Sequence, residues 1–183
     1  MKDLASHIMD IVQNSVRANA QNIEITVEEH WSDDLLTITV KDDGDGMDEE
    51  TLQRVRDPFF TSRTVRKVGL GIPLFQQNAE RTGGSLSITS QQGKGTIVEA
   101  RFMHSHIDRP PLGNMAETIS LLIAANSERE FLYTHCSDRG TFSIDTRELK
   151  NMLEGIPVNH PEIIMGIQEM IKENEKEITE ELT

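Results

Sequence analysis

The sequence predicts an α/β (α+β) two-layer sandwich, in which an antiparallel or mixed sheet is covered on one face by helices, with a small α+β extension at the C-terminal end. Three observations predict it. Alternating apolar and polar runs come in two pairs, Asn22–Glu28 with Leu35–Lys41 and Ser85–Ser90 with Thr96–Met103, each joined by a polar turn as in a hairpin. Helix-period segments flank these pairs, at residues 3–20 and 72–81. Strand pairs separated by helices in this way pack as a sheet under a helical layer.

Each element has a local cause. From Asp3 to Ala20, Leu4, Ile8, Ile11, Val12 and Ser15 form one helical stripe. His7, Asp10, Asn14 and Arg17 run alongside it, so a ribbon of functional groups borders the buried face. After the acid- and glycine-rich loop Asp42–Gly46, a short helix is predicted over Asp48–Val55, and Asp57–Val68, which has no usable periodicity, reads as a mobile loop. Gly71 opens the helix Ile72–Arg81, which tolerates Pro73 in its first turn and stops at Gly83-Gly84. Residues 104–112 (HSHIDRPPL) read as a connector. Beyond it come an apolar helix over Asn114–Ala125, a hairpin of Glu130–His135 and Thr141–Ile144 around SDRG, and a capping-box pattern, Asp145 with Glu148, for a helix through Leu153. A last helix after Pro161 carries Ile163, Ile164, Ile167, Met170 and Ile171 on one face and frays into an acidic tail. The predicted division is a first domain over 1–103, a linker over 104–112 and an extension of unknown role over 113–183.

Composition bounds the function. With 36% hydrophobic and 27% charged residues in 183, and no apolar run near the roughly 20 residues a membrane helix needs, a membrane-spanning protein is not expected. The start, MKDLASHIMDIVQNS, lacks a signal-peptide core, and the single Cys136 forms no internal disulfide, so a cytoplasmic location is expected. A net charge of -13 argues against wrapping nucleic acid. A nucleotide is a different case, because a local basic pocket and backbone N–H groups can hold it.

Four segments could build such a pocket. In His7–Ala20, Asp10 and Asn14 lie one turn apart, where an amide oxygen can complete a magnesium shell beside a triphosphate and a carboxylate can orient a water or accept a proton. The ordinary alternative is a solvated helix face. In Val40–Met47 (VKDDGDGM), Gly44 and Gly46 permit close approach of a flat ring, and the Asp42 carboxylate can accept from an exocyclic amine, favouring adenine over guanine. An acidic turn is the alternative there. In Asp57–Pro73, Arg63, Arg66 and Lys67 precede glycines that open a helix, so cations and helix N–H groups could meet on the same phosphates, with Phe59 and Phe60 as apolar anchors. In the fourth segment, Gly83–Phe102, Thr96 follows Gly95 at a strand start, where its hydroxyl could reach a phosphate or the adenine side.

In their order and spacing these segments resemble the N-box, the first glycine box, the F-box with ATP lid and the second glycine box of the GHKL ATPase superfamily, over residues 2–102. The resemblance is closest in style to stand-alone anti-sigma-factor-type kinases. It implies ATP and magnesium as cofactors, with Asn14 as metal ligand, Asp10 at the catalytic acid position, Asp42 as the adenine-binding aspartate, and Gly69 and Gly71 as lid hinge. The implied nucleotide-binding set is Asn14, Arg17, Asp42, Gly44, Gly46, Met47, Phe59, Arg63, Arg66, Lys67, Gly69, Leu70, Gly71 and Thr96. Asp10 stands where many hydrolytic members carry Glu, and with no two-helix hairpin bearing a phosphoacceptor histidine read before the N-box, a self-contained histidine kinase is not expected.

Two functions follow from the resemblance. One is an ATP-dependent regulatory protein kinase or ATPase switch acting on an unidentified protein partner. The other is a non-catalytic ATP sensor whose lid or C-terminal region binds a partner according to nucleotide state. A homodimer through the last helix is a further expectation, since its isoleucine stripe needs burial. Cys136 reads as structural and His160 as a helix-boundary residue; His104 and His106 lack further ligands at metal-binding spacing.

Overall fold

The computed structural model describes residues 3–56 and 71–179. Its first helix, α1, runs over Leu4–Arg17. Asp3 starts it, its carboxylate accepting from the Ser6 backbone N–H at 2.8 Å and the Ser6 hydroxyl at 2.6 Å, which satisfies a donor that the first turn leaves without an intrahelical partner. The helix ends at Arg17 and not at Ala20, because Asn19 turns into the left-handed region at φ 60°. The Ala20 N–H then folds back to the Ser15 carbonyl at 3.1 Å.

Strands β1 (Asn22–His30) and β2 (Leu35–Asp42) form the first hairpin, with Ile25 opposite Val40. Helices α2 (Glu49–Arg56) and α3 (Gly71–Arg81) follow, then the second hairpin of β3 (Ser85–Gln91) and β4 (Gly95–Met103). The connector docks on the start of α1, where Pro111 and Leu112 carbonyls accept from Leu4 and Ala5 N–H groups at 2.9 Å each. The rest of the chain supplies α4 (Met115–Ala125), β5 (Glu130–Ser137), β6 (Gly140–Asp145), α5 (Thr146–Met152) and α6 (Pro161–Thr179).

All six strands form one sheet in the order β3-β4-β2-β1-β5-β6, antiparallel throughout except where β5 runs parallel to β1. The strands of the C-terminal region therefore extend the sheet of the first part, and buried residues from both parts belong to one hydrophobic cluster. Alternation decides which face is covered. Ile23, Ile25 and Val27 on β1 share their buried side with Phe131 and Tyr133 on β5 and Val98, Ala100 and Phe102 on β4. Each fully buried side chain of this kind contributes about 1.5–3 kcal/mol of transfer free energy. Helices α1, α3 and α6 pack on the sheet, and α4 lies against both α1 and α6. Ile167 and Ile171 are buried there, so the isoleucine face of the last helix finds its cover within the chain.

At the end of the sheet opposite Asp42, a polar network runs from this core to the partly exposed side chains of Glu29, His104 and Glu175. His135, fully buried on β5, places Nε2 2.9 Å from Glu29 Oε1 and Nδ1 3.2 Å from Glu175 Oε1 on α6. The other Glu29 oxygen lies 2.7 Å from His104 Nε2, and the Tyr133 hydroxyl donates to Glu175. Burial pushes the His135 imidazole down, but the two carboxylates overcome it and hold its pKa at about 9. Burial likewise pushes Glu29 up, and hydrogen bonds from His135 and His104 reverse this to about 2. Among the described residues, no helix is long and apolar enough to cross a membrane.

Candidate functional site

Where β2 ends, its register brings Asp42 opposite Thr96 on β4, and the side chain of Asp42 continues the inward-facing series Leu36, Ile38, Val40. A carboxylate in that position is 9% exposed and needs partners. It has three donors. The Ser15 hydroxyl donates to Oδ2 at 2.6 Å, while the Gly44 and Thr96 backbone N–H groups converge on Oδ1 at 2.9 and 3.2 Å. Above it opens a cavity of about 450 Å³, within the size range of small-molecule sites. Ile11, Met47, Val55, Ile72 and Val98 give it apolar walls, and Asn14, Ser15, Arg17, Asp45, Gly46, Thr51 and Thr96 supply polar or backbone groups.

Glycines let the loops close on this floor. Gly46 has φ +65°, and a Cβ there would stand 2.0 Å from the Gln91 carbonyl oxygen. Gly95 has φ +99°, and its Cβ would stand 1.9 Å from the Asp42 carbonyl oxygen. Gly95→Ala is therefore expected to lower stability by about 2–4 kcal/mol, through backbone strain and displacement of β2. Urea denaturation checks this; an unchanged midpoint would mean that β2 and β4 can separate here at no cost.

Residues 2–106 match the family model described as histidine kinase-, DNA gyrase B- and HSP90-like ATPase. The chain belongs to this family. These are the GHKL ATPases that its four motifs resemble. It is 33% identical over 111 residues to sporulation kinase E of Bacillus subtilis (strain 168), covering 60% of this chain and 14% of that protein. To histidine protein kinase DivJ of Caulobacter vibrioides it is 32% identical over 98 residues, 51% of this chain and 16% of that one. The chain thus spans a small part of the length of these curated relatives. A crystal structure of the N-terminal domain of a DNA repair protein shares the fold at TM-score 0.52 and 18% identity, covering 79% of this chain and 52% of that chain.

Within this GHKL domain the predicted residues fall into separate groups. Asn14, Arg17, Asp42, Gly46, Met47 and Thr96 line the cavity together. The Asn14 amide oxygen accepts from Arg17 Nη1 at 3.0 Å, so the atom assigned to a metal is engaged by a neighbouring cation. Thr96 Oγ1 lies 2.9 Å from the Ser90 hydroxyl, which also accepts from the Met47 N–H at 2.8 Å. Gly44 is not among the lining residues and has no positive φ; it packs against Ala18, whose carbonyl oxygen a Cβ would approach to 2.6 Å, and its N–H holds Asp42. Asp10 is likewise outside the lining. It abuts the start of α3, where a Cβ on Gly71 would stand 3.0 Å from Asp10 Oδ2. Phe59, Arg63, Arg66, Lys67, Gly69 and Leu70 lie outside the described residues, as does the loop predicted over Asp57–Val68.

Two assignments change. His7, which the helical spacing puts in the functional ribbon, belongs to the buried face: it is 1% exposed, stacks on Phe75 with ring centroids 4.9 Å apart and faces the Asn78 amide nitrogen at 2.9 Å. Burial pushes its pKa down, so the imidazole is neutral. Ser15 moves the other way. Its place on the apolar stripe hides a hydroxyl aimed at Asp42, and the one available signal was a polar side chain at a core position next to Asn14.

Proposed function

We propose that the protein binds ATP with magnesium in this cavity and works as a cytoplasmic regulatory protein kinase or ATPase switch on a partner protein. The observation that carries the proposal is the buried Asp42 carboxylate, oriented by three donors at the floor of a largely apolar cavity. Such a group accepts from the exocyclic amine of adenine and repels the carbonyl that guanine presents at the same position. Asn14 and Arg17 border the same space and would meet the phosphates, joined on the family resemblance by Arg63, Arg66 and Lys67. Among the described residues there is no cluster of three or more His, Cys, Asp or Glu side chains able to hold a metal by itself. Asn14 would offer a magnesium ion its amide oxygen in exchange for the Arg17 bond, with the remaining ligands coming from phosphates and water. When bound, the metal supplies positive charge that neutralises the transferring phosphoryl group. On the family resemblance Asp10, one turn from Asn14 on α1, takes the catalytic acid position and would accept the proton of an attacking water or partner side chain.

A non-catalytic ATP sensor is the alternative, and one observation favours it: Asp10 packs on the start of α3 and does not line the cavity. Incubation with Mg-ATP, alone and with candidate partners, separates the two. Phosphate release or partner labelling that falls at least about a hundredfold in Asp10→Asn, with ATP affinity retained, is the expected result. Tight ATP binding with no turnover by the unaltered protein would leave the sensor.

A further inference from the structure

The segment Ala18–Asn22 is hydrogen-bonded on both sides, and the two sides belong to different parts of the chain. Towards the loop after β2, the Gln21 and Asn22 N–H groups both donate to Asp43 Oδ1 at 2.8 Å, and the Asn22 side-chain amide donates to Asp43 Oδ2 at 2.6 Å. The Ala18 carbonyl accepts from the Asp45 N–H at 2.7 Å, and the Asn19 amide donates to Asp45 Oδ2 at 2.8 Å. Towards the C-terminal region, the Gln21 carbonyl accepts from the Glu130 N–H at 2.8 Å, and the Ala20 carbonyl accepts from the Arg129 guanidinium. Arg147, in the first turn of α5, donates to Asn22 Oδ1, and Asp145 Oδ2 stands 3.4 Å from it.

Asn22 is thus a relay. Its oxygen takes a charge-assisted bond from Arg147 while its nitrogen gives one to Asp43, the neighbour of Asp42. A hydrogen-bonded amide is polarised by the first bond in the direction that strengthens the second. We infer that Arg147 is a positioning residue for nucleotide recognition, acting through Asn22 and Asp43 to fix the loop that carries Asp42, so that the C-terminal region sets the affinity and base selectivity of the cavity. The inference rests on the nucleotide-binding reading of that cavity. It gives residues 113–183 a role that the ATPase-family match, which ends at residue 106, does not cover.

Two measurements test it. In nucleotide-free protein, Arg147→Ala is expected to speed hydrogen exchange at the Gly44 and Asp45 amides, which the loop geometry protects. In titrations with Mg-ATP and Mg-GTP, the same variant is expected to weaken ATP binding roughly three- to fivefold and to shrink the ATP-over-GTP preference, the scale for one partly exposed charge-assisted bond. Asn22→Ala should do more, Arg147→Lys should restore most of the loss, and Arg139→Ala, which removes a guanidinium stacked over Trp31, should change neither readout. A general loss of packing would lower affinity for both nucleotides without altering their ratio. Unchanged exchange together with an unchanged ATP-to-GTP ratio in Arg147→Ala and Asn22→Ala overturns the inference. Faster exchange in a protein that binds no nucleotide at all would uphold the coupling and defeat the function proposed for the cavity.

Discussion

Asp42→Asn is expected to weaken ATP binding by about 3 kcal/mol, on the order of a hundredfold in Kd, in a protein that still folds. The reason is a count of lone pairs. Oδ1 already accepts from two backbone N–H groups and is saturated, so the spare acceptor capacity lies on Oδ2, which takes only the Ser15 hydroxyl. Asparagine keeps the first oxygen and replaces the second with an NH2 group. The Ser15 hydroxyl can rotate to accept from that group, so the fold is preserved, but nothing remains to accept from an adenine amine. Isothermal titration with Mg-ATP checks the affinity and thermal unfolding checks the fold. Near-normal affinity in a folded Asp42→Asn protein would remove Asp42 from base recognition.

The second large effect concerns stability. Glu29→Gln is expected to lower it by about 2–4 kcal/mol, a fall of roughly 5–12 °C in Tm for a chain of this size, because an amide nitrogen must then face one of two histidine N–H groups in the core. The pH dependence follows from the two shifted groups. His135 titrates near 9 in the folded state against 6.5 ordinarily, so its contribution is complete below about pH 6.5 and lost as pH rises through 9. Glu29 titrates near 2 against 4.5, so its contribution is complete above about pH 4.5 and lost as pH falls towards 2. The two shifts share the His135–Glu29 contact and are not summed, since Glu175 also holds His135 and His104 also holds Glu29; the plateau lies between pH 4.5 and 6.5. Glu29→Gln should remove the acid limb due to Glu29 and flatten the alkaline one. A Tm profile of Glu29→Gln that coincides with that of the unaltered protein from pH 3 to 9 would show that Glu29 contributes nothing to folding.

Local periodicity made much of this fold legible. Helix α1 announced itself through Leu4, Ile8, Ile11 and Val12, both hairpins of the first part through strict alternation, and the floor of the cavity through a strand that runs into VKDDGDGM. What remained hidden was long-range. Phe131 and Tyr133 reveal a buried strand face but not that its neighbour is β1, since period-two alternation specifies a side and not a partner. Gly95 reads as a turn glycine until the Asp42 carbonyl is found beside it. Glu29, His104, His135 and Glu175 are scattered along the chain, and each alone looks like a surface residue; only the packing of α6 on β5 assembles them. The earlier end of α1 has a similar origin, because Asn19 is free to take a left-handed conformation where the apolar spacing would allow another turn.

The parallel junction of β1 with β5 has a consequence for how the chain must be made. The stretch that matches the ATPase family finishes at residue 106, yet one whole flank of β1 from Asn22 to Glu29 gains its partner only when Glu130–Ser137 arrives. Until then a row of bare amides and carbonyls beside Ile23, Ile25 and Val27 is available to any extended strand, including the same strand of a neighbouring molecule. Cutting the protein at its family boundary would leave that flank open, so the smallest well-behaved unit is expected to be longer than the stretch the family model matches.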